Sequence, residues 1–160
     1  MGILTGADLD QTYTSAQLSE GKTPAAGDVF FDRGGKAYKF VQYDTGAGSV
    51  AAVSGQVAYY YAPSGASAGA TTVVTSDLSD SAELGAGVLQ SAPGDGEYCW
   101  IQIKGPATLS IALTAGADGD PLTPTGATDG TLDVTAAATD AICGFAIDAS
   151  AKIIACDFPF

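Results

Sequence analysis

The side chains able to do chemistry in this chain are few and mostly of one kind. Asp77, Asp80, Glu83, Asp95 and Glu97 fall within one short stretch, and a pair of such carboxylates is what a glycosidase uses. They stand among Ser and Gly, however, where Asp commonly bonds nearby backbone, and a solvated turn does not raise an acid's pKa. Asp118-Gly119-Asp120 has the look of a calcium loop but lacks the further oxygen ligands at fixed spacing, so it reads as a plain turn. Cys99, Cys143 and Cys156 make no pairwise framework and no C-x-x-C spacing. They read as small buried hydrophobes kept reduced. With no His in the chain, imidazole-based triads, proton shuttles and His metal sites are excluded. No catalytic residue, no metal and no cofactor is expected.

The body that would carry these groups is 160 residues long, about one domain. Its hydrophobic fraction of 46% is too high for a disordered chain, while its 15% charged residues fall below the ~25% of ordinary soluble domains. Six Lys and Arg stand against 18 Asp and Glu, a formal charge of -12, which repels phosphate backbones and anionic lipid surfaces. Neither nucleic acid nor membrane is an expected partner. No run reaches the ~18 apolar residues of a membrane helix, and residues 1–10 lack a basic n-region and an apolar h-region, so the chain reads as made and kept in cytosol.

Short runs of β-branched and aromatic residues alternate with Gly, Pro, Ser and Thr, the spacing of a many-stranded all-β domain. About nine strands are expected, in a β-barrel or sandwich of short antiparallel strands. A small β-hairpin module at 27–70 precedes the barrel or sandwich at 71–160, and an extended N-terminal arm occupies 1–26. Ser15 is followed three positions later by Leu18 rather than Glu, so the arm carries no clean capping box. In the hairpin, Tyr38, Phe40 and Gln42 share one face and Lys39, Val41 and Tyr43 the other, so both faces touch protein. The strand from Glu97 to Lys104 points Cys99, Ile101 and Ile103 inward and Trp100 outward, and Gly105-Pro106 stops it. Left as open edges, the low-charge strands at 141–147 and 152–158 would invite aggregation, which closure or pairing across subunits resolves.

The order of several segments carries a resemblance. Gly87-Val88-Leu89-Gln90, the aromatic-Gln strand from Gly96 to Gly105, Gly119-Asp120-Pro121-Leu122 and the Gly-centred strand from Ala141 to Ala146 follow the run Gly35 to Tyr43. Over residues 27–158 the chain resembles tailed-bacteriophage capsid decoration (cement) proteins. That resemblance implies a β-rich protein without catalytic residues, bound to the major capsid protein on the outer surface of a phage head. It implies a virion component assembled in the host cytoplasm, often trimeric, that stiffens the shell. The tri-Tyr strand at 59–61 and the tail Phe158-Pro159-Phe160 depart from the pattern.

Contact residues for a shell or a neighbouring subunit are expected among apolar and aromatic side chains that the elements leave outward. In the arm these are Ile3, Leu4, Leu9, Tyr13 and Leu18; on the strands, Tyr59, Tyr61 and Trp100; in the tail, Phe158 and Phe160. Trp100 is covered either by the N-terminal module or by a second subunit. The rival reading is a phage fibre, tail or cell-surface adhesin β-module that binds a receptor or glycan.

Overall fold

The computed structural model describes residues 7–21, 23–62 and 71–159. The chain is all-β, a closed five-stranded barrel with extra strands. In chain order the described elements are α1 (Ser15–Ser19), β1 (Val29–Phe31), β2 (Ala37–Tyr43), β3 (Val57–Tyr61), β4 (Val73–Thr75), β5 (Ser81–Leu89), β6 (Tyr98–Thr108), β7 (Pro121–Thr123), β8 (Asp133–Val134), β9 (Gly144–Asp148) and β10 (Ile153–Asp157). A 3-10 turn, Leu78–Asp80, links β4 to β5.

The barrel runs β2-β4-β3-β5-β6 and closes by pairing β6 back onto β2. Its single parallel pair is β2 with β4; the other barrel pairs are antiparallel. Directly paired residues share a face of the sheet. Tyr43 opposite Val74, Val74 opposite Tyr60, Val41 opposite Cys99 and Leu89 opposite Ile101 therefore line one surface, and all are 0–5% exposed. In so narrow a barrel these side chains fill the interior.

The expected division at 64–70 does not separate two units. β3 precedes it, β4 follows it, and the two are hydrogen-bonded neighbours in one barrel. β2, expected in a separate hairpin module, is itself a barrel strand. Both its faces are covered, as its alternation indicates: Val41 and Tyr43 on one side, Tyr38 and Phe40 on the other, are at most 4% exposed.

β6 does not stop at Gly105-Pro106. The buried Gln102 side chain donates to the carbonyls of Lys104, Gly105 and Pro106 at 3.0–3.2 Å, which holds an irregular stretch, with Gly105 at φ +90°, within the strand. Thus lengthened, β6 serves two sheets. Its first part pairs with β2, and residues 104–108 pair with β10, which leads on through β9 and β7 to β8. Neither β9 nor β10 is an edge.

Candidate binding surface

The arm folds onto its own barrel. Thr14, not Ser15, caps α1: its hydroxyl accepts from the Gln17 amide N–H, while the Gln17 side chain accepts from the Thr14 N–H at 2.8 Å. This is a capping box one residue earlier than Ser15, in an arm expected to carry none. Just before it, Tyr13 makes an antiparallel bridge to Tyr98. Leu9, Tyr13 and Leu18 are half-buried and pack on Tyr38, Phe40 and Trp100 together with Phe30. Ring centroids lie 5.2 Å apart for Phe40 and Trp100, 5.6 Å for Tyr13 and Phe40, and 6.3 Å for Phe30 and Trp100. Of the two covers considered for Trp100, the chain supplies its own, and the indole is 3% exposed.

Two further expected contact residues are turned into the fold. Tyr59 is fully buried, its hydroxyl accepting from the Thr131 N–H at 2.9 Å, because residues 128–131 lie over the barrel wall there. Burial raises its pKa above the ordinary phenol range. Phe158 is fully buried against Gly85, so the tail closes the core. Tyr61 is half-buried, with its phenol pKa raised first by the charge of Asp44. Ile3, Leu4 and Phe160 lie outside the described residues.

Four of the five carboxylates of the Asp77–Glu97 stretch, Asp77, Asp80, Asp95 and Glu97, hold turns together. Asp77 accepts from the Ser79 hydroxyl at 2.6 Å and from Gly48 N–H at 3.0 Å, and these bonds, the Ser79 hydroxyl first, hold its carboxyl below the usual range. Asp80 bonds Ala47 N–H, Asp95 bonds Thr45 N–H at 3.1 Å and Glu97 bonds Gly94 N–H at 2.8 Å. Asp118 and Asp120 accept from the N–H groups of Ala149 and Ala117 at 2.9 and 2.8 Å. Burial pushes the Cys99 and Cys156 thiols up to about 12 and raises Cys143 as well, which suppresses the reactive thiolate.

One surface escaped the sequence reading. Along β9, Gly144 and Ala146 are buried while Phe145 and Ile147 are 46% and 50% exposed, and Ile142 just before the strand is 54% exposed. Its signal in the sequence is plain period-two alternation, which gives the outward side chains but not that β9 lies inside the sheet, between β10 and β7. A second exposed apolar pair, Val29 and Phe31, sits on β1, the edge strand beside β2. No family model matches this chain, and no curated protein or solved structure matches it.

Proposed function

We propose that this chain is a non-enzymatic virion structural protein, a capsid decoration or cement protein that binds the major capsid protein on the outside of a phage head and stabilises the shell as a trimer. The observation that carries the reading is the exposed apolar row on β9. Phe145 and Ile147 stand in solvent on a sheet whose inner face is packed, while the aromatic groove around Trp100 is already filled by the arm. A rigid, acidic body with such a row stays dispersed in solution, and a trimer of it gains by lying against a repeating surface, where its three contacts act together. The -12 charge opposes further association of the free protein until it meets that surface, so self-association is expected to be faster in high salt.

Copy number tests the proposal. Quantitative mass spectrometry of purified virions carrying the protein is expected to count it in the hundreds per particle, comparable with the major capsid protein. A handful of copies would contradict the decoration reading and favour the fibre or adhesin module.

A further inference from the structure

We infer that the outward face of β10, β9 and β7 is the surface that docks on the shell, and that the shell meets it with an apolar centre inside a basic rim. The inference rests on the decoration reading and adds to it the docking face and the chemistry of the partner.

The face is defined by register. Pro106 on β6 lies opposite Ala155 on β10, Ala155 opposite Phe145 on β9, and Phe145 opposite Pro121 on β7. Opposed residues share a face, so an unbroken apolar row crosses four strands. Ile147 extends it along β9, and Ile153 extends it on β10 at the bulge where the β9–β10 register shifts. The opposite face is closed, since Leu122, Ala146, Ile154 and Cys156 are at most 5% exposed.

Around that row the charges are mostly of one sign. Asp120 leads into β7, Asp133 lies on β8, Asp140 precedes Ile142, Asp148 ends β9 and Asp157 ends β10. The cations alongside are Lys36, whose stem lies against Gly105, Lys104, which pairs with Asp157, and Lys152, whose ammonium donates to the Ser110 carbonyl at 3.0 Å. An apolar strip in an acidic frame complements an apolar strip in a basic frame.

A second copy of the chain fits this face poorly for two reasons. Two acidic rims brought together repel. By strand spacing and rise the face also measures only about 250 Å², against the ~800 Å² per partner of a stable protein pair. A face this small holds when three copies joined elsewhere in one trimer engage a repeating lattice together, which a dimer through this face does not offer. The trimer contact then lies on another surface.

The test uses the full chain and undecorated phage heads, with binding followed by co-sedimentation at low and high NaCl. Phe145→Ser with Ile147→Ser is expected to weaken binding at least tenfold with an unchanged melting temperature, since both side chains are exposed. Wild-type binding is expected to weaken as salt rises, and Asp140→Asn with Asp148→Asn to flatten that dependence. If wild type binds and the double serine variant binds equally well, the face is wrong while the decoration reading stands. Binding that is indifferent to salt or strengthened by it overturns the basic rim. A change in solution mass of the serine variant by light scattering would assign the face to self-association and overturn the inference. Failure of the wild type to bind heads at all would remove the decoration reading, and the inference with it.

Discussion

Tyr13 and Tyr98 hold each other through both backbone groups: Tyr13 N–H donates to the Tyr98 carbonyl at 2.9 Å and Tyr98 N–H to the Tyr13 carbonyl at 2.8 Å. That bridge ties the arm to the first residue of β6, beside Trp100. Because the Tyr13 ring also meets Phe40 edge-on, Tyr13→Ala is expected to cost about 1–2 kcal/mol. Loss of the cover should shift Trp100 fluorescence to the red, the one Trp in the chain making the signal unambiguous. An unshifted spectrum would mean that the arm does not shield the indole.

Phe158 and Gly85 make a second close pair. A Cβ placed on Gly85 would stand 2.8 Å from the Phe158 ring and 3.2 Å from Cys143 Cβ. Phe158→Ala empties a fully buried site and should cost about 3–5 kcal/mol. Gly85→Ala should also destabilise, by overpacking. The double variant should lose less than the two single losses combined, because the truncated ring makes room for the new methyl. Strict additivity in denaturant melts would contradict this contact.

Lys39 points from β2 into the barrel, 4% exposed, opposite Ile101. Its ammonium donates to the Tyr60 hydroxyl at 3.0 Å and lies 5.0 Å from the Tyr60 ring centroid. Desolvation lowers its pKa from the usual lysine value, while burial pushes the Tyr60 phenol up to about 12. A lysine whose folded pKa is depressed weakens the fold wherever it is charged, and that penalty fades as pH rises from the folded pKa towards the unfolded one. Lys39→Met is therefore expected to stabilise by ~1 kcal/mol at pH 7. Its advantage over wild type should shrink in parallel thermal melts as pH rises towards the ordinary lysine value of 10.5. A variant less stable than wild type at pH 7 would contradict the account.

Asp77 works in the opposite direction. Its carboxyl is held low by Ser79 and Gly48, so its contribution is present above the unfolded carboxylate pKa and disappears as pH falls through the folded one. Asp77→Ala should cost about 1–3 kcal/mol at pH 7, and the gap to wild type should close in acid. A gap that stays constant down to strong acid would rule out the ionised carboxylate as its source.

The three cysteines are buried, with raised thiol pKa values. An aromatic disulfide reagent at pH 8 should leave the native protein unlabelled and titrate three thiols after denaturation. Rapid native labelling would contradict their placement in the core.

The strands were legible where alternation was strong. Ala37–Tyr43, Val57–Tyr61 and the start of β6 carry aromatic and β-branched runs bounded by Gly, and they fold as strands. The extension of β6 past Gly105-Pro106 was hidden because it depends on one side chain, Gln102, satisfying carbonyls that a regular ladder would leave open. The first part of β5, Ser-Ala-Glu-Leu-Gly, has little strand character and forms by pairing with β3, a partner about 20 residues away in sequence. Among the contact residues, Tyr59 could not be placed from alternation alone. Period two says that it leaves the barrel interior, but only tertiary structure brings residues 128–131 over it.

The central claim is that this protein strengthens a shell. The most direct measurement is the temperature at which undecorated phage heads open, followed by release of a dye-accessible interior, with and without saturating protein. The account predicts a higher opening temperature that saturates at a fixed number of copies per head. Heads that bind the protein yet open at an unchanged temperature would contradict it.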